Sequence, residues 1–179
     1  LAPYAMHSRD SAGREHAESP HSYRGPFQRD RDRILHSSAY RRLSGKMQVF
    51  TGEMGDYHRT RLTHTQEVAT IAQTIGRCLR LNEDLIEALA LMHDIGHPPY
   101  GHAGEDVLNE CASEIGGFSH NQFALTIVRE LEFRYTSIPG LNLTRECLQG
   151  QTHRIDKDDN TQPLLEVQLV DAADSVTYD

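Results

Sequence analysis

The segment His93-Asp-Ile-Gly-His-Pro-Pro-Tyr-Gly-His102 holds three histidines and one aspartate within ten residues, directly after an apolar run. Residues four apart share one face of a helix, and His93 follows Leu89 by four just as Asp94 follows Ala90. The run therefore predicts a core helix that ends by directing both His93 and Asp94 inward.

An inward-facing carboxylate is costly unless a cation or strong hydrogen-bond donors accompany it. Neutral imidazole beside carboxylate is a common ligand set for a borderline or hard divalent metal. The alternative is a hydrogen-bonded His-Asp pair that closes the helix before a turn at Gly96 and Pro98-Pro99. The dipeptide alone does not decide between these two interpretations.

Length and composition limit the class of protein. The chain has 179 residues, with 37% hydrophobic and 25% charged, which is typical of one rather polar globular domain. No apolar run approaches the ~20 residues of a membrane span, and the first residues lack the apolar core of a secretory signal. The three cysteines form no CxxC pair, which argues against a disulfide framework or a thiolate zinc site. We therefore expect a cytoplasmic protein.

The charge is unevenly distributed. The formal net charge is −8, which argues against general nucleic-acid binding, yet nine basic and only four acidic residues lie between Arg24 and Arg61. A basic segment in an acidic protein favours a focused anion site, although any single arginine there is also compatible with a solvated, ion-paired helix.

The chain divides into two parts. Residues 1–23 have few large apolar side chains and predict a flexible N-terminal arm, and residues 24–179 form one domain. Residues 46–53 predict a short extended or turn segment. The remaining pattern is helical, and no strand-like alternation exceeds Gln48–Thr51, so we predict an all-α fold. Helices are predicted at 28–43, 60–81, 82–94, 101–114, 120–135 and 143–150, and from Pro163 onward. The last pattern still continues at Asp179 without a C-cap signal, so we expect the domain to be truncated or incomplete there.

Two further helices contribute ionisable residues on apolar faces. The predicted inward stripe of the 60–81 helix holds Leu62, Val68, Ile71, Ala72, Ile75 and Leu79. His64 lies on the same stripe, seven residues before Ile71. Asp171 and Asp174 lie on one face of the last helix. With His93, Asp94 and either Asp171 or Asp174, His64 would form a mixed nitrogen and oxygen site suited to Mn, Fe, Mg or Zn.

The order His, His-Asp, Asp is that of the HD-domain phosphohydrolases, and longer segments extend the likeness. PFQRDRDRILHSSAYRRLSGKMQVF (26–50), RTRLTH (59–64), HDIGHPPYGHAGE (93–105) and FSHNQ (118–122) resemble the deoxynucleoside triphosphate triphosphohydrolase, or dGTPase-like, family. The resemblance covers residues 24–179 and implies an HD-domain helical bundle. One departure is Met47, where the family more often has threonine.

The resemblance implies hydrolysis of a dNTP at the α-phosphorus, which yields a 2′-deoxynucleoside and tripolyphosphate. It implies one divalent ion, Mn or Mg first, with Fe, Co, Ni or Zn as alternatives. It also implies a homo-oligomer without membrane association, and a nucleotide or single-stranded DNA as effector. The matching positions are His64, His93, Asp94 and Asp174 for the metal, His102, Glu105 and His120 for catalysis, and Gln48, Arg61 and Tyr178 for the substrate.

Two other functions are compatible with parts of the pattern. One is an HD-type phosphodiesterase or nucleotidase acting on a cyclic or monophosphate substrate, against which the 26–50 segment argues. The other is a metal-bound nucleotide sensor without turnover, which would not require His102, Glu105 and His120. Product analysis distinguishes all three.

Overall fold

The computed structural model describes residues 1–48, 59–156 and 162–178, with Tyr178 described by its backbone only. Within these ranges the chain forms helices joined by turns, and its only β pairings are isolated bridges. The all-α prediction is confirmed. The helices are α1 (Pro26–Leu35), α2 (Ser38–Arg42), α3 (Arg61–Leu79), α4 (Glu83–Met92), α5 (Gly101–Cys111), α6 (His120–Thr126), α7 (Arg145–Ile155) and α8 (Leu165–Tyr178). None of the helices in these ranges is both long and apolar enough to span a bilayer.

Several helix boundaries differ from the predicted ones. The helix predicted at 28–43 is interrupted at Ser37, whose hydroxyl accepts a hydrogen bond from the Tyr40 N–H and caps α2. The last helix begins at Leu165 rather than at Pro163, and α7 extends to Ile155 through part of a predicted loop. The predicted extended segment 46–53 lies largely outside the described residues. Helix α6 continues as one π-helical turn, Ile127–Leu131.

Helix α4 is the centre of the fold. It packs against α1, α3, α7 and α8, and seven of its ten residues are buried. A helix with so wide an apolar surface is stable only when neighbouring helices cover that surface. Its start is fixed by Asn82, whose side chain accepts a hydrogen bond from the Leu85 N–H. The end of α4 is therefore held deep in the molecule, where His93 and Asp94 follow.

The buried face of α3 is rotated from the predicted one. Ile75 and Leu79, predicted to be inward, are 39% and 46% exposed, whereas Gly76 is buried. A Cβ atom at Gly76 would lie 2.3 Å from Ile86 Cδ1, so the missing side chain lets α3 approach α4 closely. This close approach sets the rotation of α3, and His64 remains inward at 1% exposure.

The segment 1–23, predicted to be a flexible arm, lies against the helices in the structure. Its contacts with the helices are mainly polar. Low apolar content predicted flexibility because it does not reveal polar contacts of this kind. Arg14 forms a buried ion pair with Asp30 and also donates to the Asn142 carbonyl oxygen at 2.6 Å. The Ser11 hydroxyl donates to Glu146 at 2.9 Å. The domain boundary at residue 24 stays a prediction.

Candidate functional site

Three side chains from three helices meet in one cluster. His64 comes from the first turn of α3, His93 from the end of α4 and Asp174 from α8, and their ligand atoms all lie within 4.8 Å of one another. The Asp174 Oδ1 atom is 3.0 Å from His64 Nε2 and 3.6 Å from His93 Nε2. We call these three residues the metal-type cluster.

The orientation of His93 is set by its own helix. Its Nδ1 atom lies 2.7 Å from the Ala90 carbonyl oxygen, so Nδ1 carries the proton and donates it. The Nε2 atom is buried, accepts no hydrogen bond from any described residue, and faces Asp174. A buried imidazole nitrogen with a free lone pair beside a second imidazole and a carboxylate fits a divalent metal.

Asp94 is buried beside this cluster but is paired differently. Its Oδ2 accepts a hydrogen bond from Arg61 Nη1 at 2.7 Å, and its Oδ1 lies 3.4 Å from the Nε2 atoms of both His93 and His97. Asp94 is not part of the metal-type cluster, whose ligand atoms all lie within 4.8 Å of one another. Its role as a metal ligand stays a prediction.

The protonation states suit metal binding. Burial alone would raise the pKa of Asp94, but His93, His97 and Arg61 together hold that pKa well below its usual range. Burial also opposes ionisation of Asp174, yet the hydrogen bond from His64 and the nearby charges lower its pKa to about 2. Burial lowers the pKa of His93. Carboxylates that are ionised and imidazoles that are neutral are the forms that bind metal.

A second group of polar side chains lies beside the first. Glu105 on α5 accepts from the backbone N–H of His120 at 2.8 Å and from its Nδ1 at 2.7 Å. His102 Nδ1 is 3.5 Å from Glu105 Oε2, and the side chain of His102 is 66% exposed. Both hydrogen bonds from His120, together with the His102 contact, lower the pKa of Glu105 although burial opposes this.

His97 connects the two groups, and sequence reasoning assigned it no role. Its ring stacks on that of His120 with centroids 3.7 Å apart, while its Nε2 faces Asp94. Burial and the positive charge of Arg61 lower its pKa to about 3, although Asp94 opposes this. The signal was present in the sequence, because His97 follows Asp94 by only three residues within the same histidine-rich segment.

A glycine allows the two groups to approach. A Cβ atom at Gly96 would lie 2.1 Å from the His120 carbonyl oxygen and 2.5 Å from the Ala124 nitrogen. The start of α6 therefore packs directly on the turn that follows α4, and this contact brings His120 to His97.

The predicted substrate-binding residues lie around the same centre only in part. Arg61 is buried and paired with Asp94. Gln48 donates its backbone N–H to the Arg59 carbonyl oxygen at 2.9 Å, and its buried Oε1 has no hydrogen-bond partner among the described residues. The side chain of Tyr178 lies outside the described part of the chain.

Two basic residues near the site were not among the predicted site residues, although Lys46 belongs to the basic segment between Arg24 and Arg61. Lys46 Nζ donates to the His97 carbonyl oxygen at 2.6 Å, and burial together with Arg61 and Arg42 lowers its pKa. Arg154 lies between Asp171 and Asp174. Both basic residues could be recognised only once the helices were assembled, because their partners are distant in the sequence.

Comparison with known proteins agrees with this geometry. The sequence model of the HD domain matches residues 61–179. Proteins named deoxyguanosinetriphosphate triphosphohydrolase-like are 51% identical in Ralstonia pickettii, 50% in Thiobacillus denitrificans and 47% in Leptospira interrogans, each over 99% of this chain. The chain spans about half the length of these relatives, between 49% and 51%. The chain belongs to the HD-domain family, among its dGTPase-like members.

Proposed function

We propose that this chain carries the catalytic centre of a metal-dependent dNTP triphosphohydrolase. The reaction would break the bond between the α-phosphorus and the 5′-oxygen, with water supplying the new oxygen on phosphorus. The products would be a 2′-deoxynucleoside and tripolyphosphate. The observation that carries the proposal is the contact of His97 with both Asp94 and His120, which puts the metal-type cluster next to a Glu-His pair.

The metal-type cluster would hold one divalent ion, with Asp94 as a further ligand. Such an ion polarises a phosphoryl oxygen and lowers the pKa of a bound water. The free Nε2 of His93 and the ionised carboxylate of Asp174 support this role. Mn or Mg remains the first expectation for the ion.

The Glu105–His120 pair and His102 would hold and transfer protons in the reaction. The hydrogen bond from His120 Nδ1 to Glu105 fixes the ring, so its Nε2 is the atom left to hold or move a proton. The departing 5′-oxygen of a nucleoside needs a proton, and the exposed imidazole of His102 can supply it.

Basic residues would bind the phosphates. Arg61 uses Nη1 on Asp94, and its Nε has no hydrogen-bond partner among the described residues. Its remaining donors could therefore reach a phosphate oxygen, and Lys46 would add a second positive charge nearby. Gln48 and Tyr178 remain the proposed contacts to the deoxyribose.

Phosphorus NMR with the four dNTPs and GTP tests the proposal. Tripolyphosphate is the expected phosphorus product from a dNTP in the presence of Mn²⁺. Orthophosphate with a shorter nucleotide would instead indicate a phosphodiesterase or nucleotidase type of activity. Absence of any product from a metal-loaded protein would favour a sensor. Homo-oligomerisation and an effector nucleotide or DNA stay predictions for the whole protein.

A further inference from the structure

A guanidinium group lies between two carboxylates of α8. Arg154, in the last turn of α7, has Nη2 2.6 Å from Asp171 Oδ1 and Nη1 3.4 Å from Asp174 Oδ2. The side chain of Arg154 is only 14% exposed, whereas those of Asp171 and Asp174 are 37% and 30% exposed. Asp171 and Asp174 are three residues apart on one helix, so they face the same neighbour.

The two oxygens of Asp174 therefore have different partners. Oδ1 faces the imidazoles of His64 and His93, and Oδ2 faces Arg154. The 2.6 Å contact of Arg154 with Asp171 is an ion pair without hydrogen-bond geometry, whereas the 3.4 Å contact with Asp174 is a hydrogen bond that Nη1 donates. The guanidinium thus contacts Oδ2 of Asp174 and leaves Oδ1, which faces the imidazoles, without a contact from Arg154.

A cation in this position has a cost for metal binding. Arg154 is always charged, and its positive charge repels a divalent ion bound at Asp174 Oδ1. A planar guanidinium also binds a carboxylate through two parallel hydrogen bonds when nothing else engages it. Without Asp171, Arg154 would turn fully toward Asp174 and compete with the metal for that carboxylate.

We propose that Asp171 and Arg154 are a positioning pair for the metal-binding carboxylate of Asp174. Arg154 orients Asp174, and Asp171 neutralises Arg154 and keeps it from competing with the ion. This role rests on the metal centre proposed above. It explains why two aspartates share one face of α8 although only Asp174 belongs to the metal-type cluster.

Mn²⁺ binding to the metal-free chain, followed through the EPR signal of free Mn²⁺, tests the pair without any need for turnover. Asp171→Asn should weaken binding ~10-fold or more, in the range found for residues that orient metal ligands. Arg154→Met in the Asp171→Asn background should recover most of that loss, because the competing cation is gone. Glu83→Gln is the control, since it removes the exposed Arg77–Glu83 ion pair on another surface and should leave affinity unchanged.

Arg154→Lys provides a second test that does not depend on Asp171→Asn folding normally. Lysine keeps the charge but cannot contact both carboxylates with a rigid fork, so binding should weaken severalfold. Circular dichroism checks that each variant is folded. Unchanged affinity in both Asp171→Asn and Arg154→Lys would overturn the pair while leaving the metal centre intact. Failure of the wild-type chain to bind Mn²⁺ would overturn the metal centre itself, and this role with it.

Discussion

Glu105 binds His120 twice, because its carboxylate accepts from both the backbone N–H and the ring Nδ1 of that residue. The two residues come from α5 and α6, and no residue of α5 is buried. Polar contacts rather than apolar packing therefore position the helix that carries both His102 and Glu105. Activity should be sensitive to these contacts even where stability is not.

Replacing His102 by alanine separates metal binding from chemistry. The variant should keep its metal and bind dNTP nearly normally, because His102 lies outside the metal-type cluster and is mostly exposed. Its kcat should fall by ~10²–10⁴, the range for loss of a general acid or base. Steady-state kinetics with elemental analysis measures both quantities.

Glu105→Gln is the companion variant, and it should show a related fall in kcat. Residues that act as one unit are not additive, so the double variant should lose much less than the combined single losses. If the metal-replete His102→Ala protein keeps the wild-type kcat, His102 has a structural role and His120 becomes the candidate acid.

Asp94→Asn should lose metal binding and also stability. The carboxylate of Asp94 is paired with Arg61, whose side chain is 3% exposed. Removing one partner of a buried ion pair typically costs ~3–5 kcal/mol, because the other charge is left unpaired. Elemental analysis and urea denaturation measure the two effects.

Adding Arg61→Met to Asp94→Asn is the matched control. The double variant should recover stability without recovering metal, since the unpaired cation is gone but the carboxylate is still missing. Full metal occupancy in Asp94→Asn would contradict the assignment of Asp94 as a ligand.

Gly96→Ala should disrupt the contact between the α4–α5 turn and α6. Its Cβ would meet backbone atoms of His120 and Ala124, which cannot move without shifting α6. We expect a loss of roughly 1–3 kcal/mol or more in the free energy of unfolding, together with reduced kcat. Gly45→Ala is the control, because a Cβ there meets nothing within 4 Å and should change stability by less than about 1 kcal/mol. Equal stability of the two variants would show that α6 does not need this close approach.

Glu132 gives a pH-dependent contribution to stability away from the site. It accepts hydrogen bonds from the Ser38 hydroxyl at 2.7 Å and the Ala39 N–H at 2.6 Å. These bonds lower its pKa below 4.5 although burial opposes them. A depressed carboxyl pKa stabilises the fold fully above the unfolded value and loses this effect as pH falls through the folded value.

At pH 7, Glu132→Gln should therefore cost roughly 1–3 kcal/mol relative to the wild type. The difference should shrink as the pH is lowered below about 4.5. Denaturant unfolding at several pH values measures it, with Glu110→Gln on exposed α5 as the control. A difference that stays constant from pH 7 to pH 3 would rule out the charged carboxylate as its source.

Sugar selection tests the proposed deoxyribose contacts. If Gln48 and Tyr178 form the pocket, dGTP should be hydrolysed at least ~100-fold faster than GTP, the ratio that shape alone typically gives against an added hydroxyl. Gln48→Ala should lower the ratio of the dGTP rate to the GTP rate by a larger factor than it lowers the dGTP rate itself. Equal kcat/KM values for dGTP and GTP in the wild type would count decisively against the pocket.

The sequence by itself determined the all-α fold and the inward positions of His64, His93 and Asp94. Each of these follows from helical periodicity, which depends only on neighbours along the chain. The linked motifs also identified the family, because they preserve residue types at fixed spacing around one chemistry.

Only the tertiary structure decided which of the inward residues meet. It paired Asp94 with Arg61 and stacked His97 on His120, and it brought Asp174, the aspartate that the resemblance had already indicated, to the imidazoles. These contacts depend on how closely and at what rotation the helices pack. The lack of a side chain at Gly76 and at Gly96 permits the close approach at these two positions. Periodicity tells which face of a helix is buried, whereas the packing distance between helices determines what that face contacts.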